Sequence, residues 1–398
     1  MFLSKEVKVS AETLKDRLVE IRRHLHRYPE TAFEEEKTGE YISTLLEELG
    51  LEVKKNVAGT GVVALLKGSE EGKTIALRAD MDALPLQDVK DADYSSRHPG
   101  VCHACGHDAH MAVVIGAAML LLKYRDRMKG QVKFIFQPAE EKPPGGASFM
   151  IEAGVLDHPS VDAILGIHTN PYFPVGSVAL KKGPVMAAAD LIKIKIIGSG
   201  GHGAAPHQTV DPIVTAAQVI QGLQLIASRR VDPLESVVVT IGKIQGGEKF
   251  NIIPREVELE GTVRTLTSDL HNQVKGMIEM ILEGTTSACG AQYELEYTRN
   301  YPVLVNDIKI TDLVEDASRE ILGKANTLIL EKPLMGSEDF ANYLEHVPGS
   351  YLFLGVRPEE GRIIYPWHHP GYDINEEALP VGAAVLSWAA LMLLQNYR

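Results

Sequence analysis

The sequence predicts an α/β fold: a mixed, largely parallel sheet flanked by helices, with an inserted ferredoxin-like α+β domain. Three observations predict it. At 398 residues the chain is longer than one hydrophobic core usually serves. Both flanks alternate short β-type runs with helical stretches, as a layered α/β sheet does. The middle reads β-α-β-β-α-β, the split βαβ unit.

The first segment is helical. Leu14, Leu18, Ile21 and Leu25 recur at helical spacing, and Tyr41, Ile42, Leu45, Leu46 and Leu49 form a second stripe stopped by Gly50. Strands are expected at Gly61–Leu66, Thr74–Ala79, Gln131–Phe136 and Val161–Ile167, with a long helix from His107 to Met128 between the second and third. Tyr351–Val356 reads as a further strand and Glu376–Asn396 as the closing helix. Within the insertion, Ala189–Gly198 alternates like a strand, and Asp211 with Pro212 makes a good cap and first residue for the helix that follows. Strands at Ser236–Ile244 and Glu256–Thr265, a helix at Ser268–Glu283 and a strand at Ala291–Tyr297 complete it. We place the insertion at 187–299 and build the main domain from 1–186 and 300–398.

Lys and Arg number 40 against 53 Asp and Glu, a formal charge of −13. That balance argues against nucleic acid or an anionic membrane as partner, but not against an anionic small substrate, since a local pocket can be positive. Three cysteines, Cys102, Cys105 and Cys289, are too few and too odd for a disulfide framework and fit a reducing compartment. Met1 to Val9 holds no secretory apolar core, and Met111–Leu122 is too short to span a bilayer. Ala378–Leu394 follows two acids and carries an early proline, as a buried helix does. A cytoplasmic protein without a membrane partner is expected.

The segment His103-Ala-Cys105-Gly-His107-Asp108-Ala-His110 directly precedes an apolar helix. A thiolate at a helix N-terminus is favoured by the dipole, and Cys105 and His107, separated by one glycine, can face one ion. Read alone, Cys102-His-Ala-Cys105 also fits a redox pair or half of a structural zinc site, although a four-cysteine site would need one cysteine more. The strand ending at Phe136 runs into Glu140 and Glu141, adjacent carboxylates at the edge where open α/β sheets bind ligands. Val161–Ile167 delivers His168 to that edge, and Thr74–Ala79 delivers Asp80 and Asp82. The loop carrying His368 and His369 can return there, and composition does not choose between the two. One thiolate, three imidazoles and one carboxylate suffice for two ions if a thiolate and a water bridge them, a two-metal hydrolytic arrangement.

Over nearly its whole length the chain resembles the aminoacylase, hippurate hydrolase and indole-acetyl-amino-acid hydrolase group of metallo-amidohydrolases, relatives of glutamate carboxypeptidase. The resemblance rests on Arg22-Arg-His-Leu-His-Arg-Tyr-Pro-Glu30, Arg78-Ala-Asp-Met-Asp-Ala-Leu-Pro85, the His103 segment, Gln137-Pro-Ala-Glu-Glu141 and Gly166-Ile-His168. Gly201-His-Gly-Ala-Ala-Pro-His207, Asn251-Ile-Ile-Pro254, Gly261-Thr-Val-Arg-Thr265, Gly336-Ser-Glu-Asp-Phe340 and the stretch from His368 to Pro380 extend it. It implies Cys105, His107, Glu141, His168 and His368 as ligands of two divalent ions (Zn, Mn, Co or Ni), Glu140 as general base and Asp82 as the acid that orients a ligand. Asp80 stands where the carboxypeptidase relatives have a metal-binding histidine and Cys105 where they use a bridging aspartate, and together these departures place the chain in the thiolate-bridged branch of the resemblance.

The resemblance also implies that the insertion acts as a lid and dimerisation domain, in a homodimer or higher oligomer. His202 is then the candidate donor to the tetrahedral oxyanion, reaching the other subunit's site. Arg264 suits a substrate carboxylate through its bidentate fork, and Asn251 could add an amide donor. The expected reaction is hydrolysis of the amide bond of N-acyl-L-amino acids or of C-terminal amino-acid amides. A dipeptidase or aminopeptidase on the same dinuclear site would want an acidic anchor for a free amine in place of Arg264. A non-catalytic metal or redox module would depend on Cys102 together with Cys105. His24 and His26 read as structural.

Overall fold

The computed structural model describes residues 2–397, so Met1 and Arg398, the outer limits of the expected main domain, lie outside the described residues. The chain forms two compact units: Met1–Val185 with Val305–Lys332 and Asp339–Arg398, and Met186–Leu304 with Pro333–Glu338.

The first unit is built on an eight-stranded sheet in the order Glu52–Val57, Gly61–Lys67, Lys129–Gln137, Glu70–Asp80, Ala163–Asn170, Gly349–Gly355, Val178–Leu180, Thr327–Ile329. Its centre is parallel: Lys129–Gln137, Glu70–Asp80, Ala163–Asn170 and Gly349–Gly355 run the same way, while Glu52–Val57 and Gly61–Lys67 extend one side antiparallel. Parallel strands are covered on both faces, so their sequences read as short continuous apolar runs. Ala163–Asn170 and Gly349–Gly355 are indeed buried at every residue.

The helix His107–Lys123 packs against the closing helix Ala378–Asn396. Ala378–Asn396 is the one helix among the described residues long and apolar enough to cross a bilayer, and 83% of its most apolar stretch is buried inside the unit. The first of these helices ends at Lys123, not Met128, and a 3-10 turn at Arg125–Arg127 follows. The sequence reading also passed over Ile308–Leu322, a helix capped by Asp307, whose carboxylate accepts the Ile310 amide. Its buried stripe includes Thr311, Glu315 and Ser318, which thin the apolar period.

In the second unit, Val237–Gln245, Glu256–Thr265, Ala188–Ile197 and Gln292–Tyr301 form an all-antiparallel sheet in that order. Helices Pro212–Leu225 and Ser268–Cys289 cover one face, with Ile192, Ile194, Ile196, Val219, Leu223, Val257, Leu259, Val274, Ile278 and Leu282 in one core. Asp211 caps the first helix by accepting the Ile213 and Val214 amides. The second helix runs past Glu283 to Cys289, where Gly290 stops it at φ 69°, in the left-handed region that glycine enters without strain. The unit continues beyond 299 because Tyr301 still pairs with Ala189. It also takes in Pro333–Glu338, since the Ala187 amide donates to the Leu334 and Gly336 carbonyls.

Candidate metal centre and active site

Within the first unit, four segments carry candidate ligands at the carboxyl edge of the parallel strands. Cys105 and His107 flank Gly106 at the start of the His107–Lys123 helix. Gly106 sits at φ 89°, and a Cβ there would come within 2.3 Å of the Thr169 hydroxyl oxygen, so this turn requires glycine. Glu140 and Glu141 follow the end of the Lys129–Gln137 strand, and His168 lies near the end of Ala163–Asn170. His368 adopts φ 63°, a strained conformation for a non-glycine, and its amide donates to the Ala104 carbonyl at 2.8 Å beside Cys105.

These residues form two overlapping ligand sets. Atoms of Cys105, His107 and His168 lie within 4.8 Å of one another, and so do those of Cys105, Glu141 and His368. Cys105 belongs to both, as a thiolate shared by two ions would. The imidazoles are pre-set as ligands. Nδ1 of His107 donates to the Asp82 carbonyl at 2.8 Å and Nδ1 of His168 to the Thr169 carbonyl at 2.7 Å. That fixes the tautomer in which Nε2 carries the lone pair. Nε2 of His168 lies 3.4 Å from the Cys105 sulfur. Nε2 of His107 and Oε1 of Glu141 are buried without a hydrogen bond, although 3.9 Å separates them and His368 Nε2 is 3.0 Å from that oxygen. Buried polar atoms that converge without satisfying one another fit a bound cation.

The electrostatics agree. Burial and then Glu141, Glu140 and Asp80 push the Cys105 thiol well up, so a cation is needed to hold it as thiolate. Burial and then His110 push His168 well down, which keeps it neutral as a ligand must be. Burial opposes charge on His107, but Asp80, Asp82 and Glu141 outweigh it and lift the imidazole to about 10; the same acids would favour a divalent ion at Nε2. The nearby Glu141 carboxylate, 3.0 Å from its Nε2, raises His368 as well.

Asp82 is buried and accepts the amide of Glu140 on one oxygen at 2.9 Å and that of Glu141 on the other at 3.0 Å. Asp80 takes a different place. Its carboxylate binds Arg78 Nη1 and His110 Nδ1, each at 2.6 Å, while His110 Nε2 accepts the Thr169 amide at 2.9 Å. Both nitrogens of His110 are therefore committed to hydrogen bonds. Asp339 accepts from Arg78, from Gln137 and from the Ala147 amide. Sequence reasoning missed Arg78, His110, Gln137 and Asp339 as parts of this surround. For Arg78, His110 and Gln137 the signal was present as charged or amide residues inside apolar strand and helix patterns, whereas Asp339 lies in a turn outside any such pattern. His26, read as structural, donates from Nδ1 to Asp108 at 2.6 Å, and the same carboxylate oxygen pairs with Arg22 at 2.7 Å. Cys102 is buried, and burial lifts its thiol to about 11, away from the lowered range of redox-active cysteines.

Three further candidates belong to the second unit. His202 is exposed on the short strand Gly201–His202, opposite Ile252, and its Nδ1 accepts the Ala204 amide at 3.0 Å, which leaves Nε2–H to donate. Asn251 is exposed, and its carbonyl accepts the Gly203 amide. Arg264 lies near the end of Glu256–Thr265, with Nη1 donating to Ser337 at 2.8 Å. Among the described residues it has no carboxylate partner.

Residues 76–391 match Peptidase family M20/M25/M40. The chain is 43% identical to an N-acetyl-L-cysteine deacetylase of Bacillus subtilis, covering 98% of this chain and 91% of that protein. It is 40% identical to thermostable carboxypeptidase 1 of Saccharolobus solfataricus, over 96% and 97% of the two chains. The crystal structure of a dinuclear metal binding peptidase of Bacillus subtilis superposes with a TM-score of 0.84 at 37% identity, covering 97% of this chain and 99% of that one.

Proposed function

The chain belongs to peptidase family M20/M25/M40 and catalyses metal-dependent hydrolysis of amide bonds, and on that premise we propose that its substrates are N-acyl-L-amino acids or peptides cut next to a free carboxylate. The observation that carries the reading is the sharing of Cys105 by two ligand sets beside Glu140.

In this reading Cys105, His107, Glu141, His168 and His368 hold two divalent ions of Zn, Mn, Co or Ni type. Such ions, when bound, polarise the carbonyl and supply a nucleophile at neutral pH. Glu140 accepts the proton of the attacking water and passes it to the departing nitrogen. Asp82 keeps Glu140 and Glu141 aimed by holding both of their amides. His202 donates from Nε2 to the oxyanion, and Arg264, which forms no ion pair among the described residues, binds the substrate carboxylate, aided by Asn251. We further propose a cytoplasmic homodimer or higher oligomer, in which the second unit serves as lid and dimerisation domain. Three free cysteines support the compartment.

The test is Glu140→Ala with metal content measured. Turnover of N-acetyl- and N-benzoyl-amino acids should fall by about 10²- to 10⁴-fold with both ions retained. A parental rate would sink the mechanism. Running the same substrates as carboxamides, beside dipeptides and with the metal exchanged, reads the carboxylate requirement; equal rates for acid and amide would remove Arg264 from its role.

A further inference from the structure

The turn that carries Glu140 and Glu141 is held by more than Asp82. Three successive backbone amides, those of Ala139, Glu140 and Glu141, each donate to a buried or half-buried carboxylate oxygen. The last two go to Asp82, and the first goes to Oε1 of Glu35 at 2.8 Å. Glu35 lies just before the helix Glu36–Glu48, is fully buried, and is aimed from its other side by the Thr60 hydroxyl, which donates to Oε2 at 2.6 Å. The loop bearing Glu35 is also tied down near Asp82, because the Glu30 carbonyl accepts the Ala83 amide at 2.8 Å.

Ala139 is the residue whose conformation decides where the two glutamates point. It sits at φ 54°, in the left-handed region, and its carbonyl accepts the Gly146 amide at 2.9 Å. A non-glycine is held there only where its surroundings over-determine it. Gly146 fixes its carbonyl, and the Glu35 carboxylate fixes its amide.

We propose that Glu35 is a positioning residue for hydrolysis: by binding the Ala139 amide it holds the left-handed turn that presents Glu140 to the substrate and Glu141 to the metal centre. This rests on the reading of Glu140 as general base. Glu35 touches no reacting atom, so its effect passes through the turn. A displacement of about 1 Å in a catalytic group can cost on the order of 10²-fold in rate.

The experiment compares Glu35→Ala, Glu35→Gln and Thr60→Val in the full-length, metal-loaded enzyme on N-acetyl- and N-benzoyl-amino acids, with Glu140→Ala alongside. Glu35→Ala should lower kcat by about 10- to 100-fold with KM within about twofold and metal content unchanged. Glu35→Gln keeps an oxygen for the Ala139 amide and should restore most of kcat. Thr60→Val loosens the carboxylate without removing it, and an approximately two- to fivefold loss of kcat is expected; it decides the matter if Glu35→Ala does not fold. Parental kcat in the folded variants, or a glutamine variant as slow as the alanine variant, overturns the proposal. If Glu140→Ala itself keeps the parental rate, it is the base assignment that has failed, and that result is read separately.

Discussion

Glu35 also tests the electrostatics of the site one residue at a time. Burial raises its carboxyl to about 7 from an ordinary 4.5, against the lowering effect of the Thr60 hydrogen bond and with a further push from Asp82. A carboxyl raised on folding is protonated in the native state at pH values where the unfolded chain has already lost the proton. Between 4.5 and about 7 the native state therefore binds more protons, and stability falls as pH rises through that window. The penalty is absent below it and complete above it, on the order of 3 kcal/mol. Glu35→Gln removes the ionisation, so its melting temperature relative to the parent should climb between pH 5 and pH 8. A difference that stays flat across that range would show that Glu35 does not titrate there. At this scale the candidate site was legible where a residue's position on its own element told the story: Cys105 and His107 at a helix start, and Glu140, Glu141 and His168 at strand ends. Glu35 was not, since its partner Ala139 lies 104 residues away and neither belongs to a periodic pattern. Of His368 and His369, composition could favour neither; the backbone separates them, because the His368 amide is tied to Ala104 and its ring faces Glu141.

At the scale of elements, the central parallel strands could be read because both faces of their central stretches are buried and those stretches are mostly apolar. Lys133 breaks that pattern in Lys129–Gln137 and would pass for a solvent-facing residue. Instead it is buried, and its Nζ donates to the carbonyls of Val155 and Asp157 at 2.7 Å and of Pro159 at 2.8 Å. One ammonium thus fastens the turn between the helix Gly146–Glu152 and the next strand, an arrangement invisible without the tertiary fold. Lys133→Met keeps the stem but leaves three carbonyls without their donor. It should destabilise the protein by about 2–4 kcal/mol. The denaturant midpoint should drop with an unchanged slope, while kcat of the folded enzyme stays at the parental value. A midpoint within error of the parent would mean that water replaces the ammonium at no cost. Ile308–Leu322 escaped sequence reading for a related reason: polar residues share its buried face, and Ser318 is satisfied by the Val314 carbonyl within the helix itself.

At the scale of the whole molecule, the β-α-β-β-α-β order was legible because each element is short, regular and separated by turn residues. The capture of Pro333–Glu338 by the second unit was not, since it depends on backbone hydrogen bonds to Ala187 between segments far apart in the chain. The division has a thermodynamic consequence. Cys105, His107, Glu141, His168 and His368 all lie in the first unit, whereas the second has its own apolar core and none of these five residues. A ligand stabilises only what it binds, and ions present at about a thousandfold excess over their Kd contribute roughly 4 kcal/mol. Chelation should therefore lower the melting of the first unit by roughly 10 °C, at about 2–4 °C per kcal/mol for a unit of this size, and leave the second unit's own stability nearly unchanged. Hydrogen exchange followed by mass spectrometry separates the two. Peptides spanning Cys105–His110, Ala139–Glu141 and His168 should lose protection on chelation, and peptides spanning Ile192–Ile196 and Val274–Leu282 should keep it. Uniform loss across both units would show that they unfold as one cooperative body, and no loss in the first would place the ions elsewhere than on these ligands.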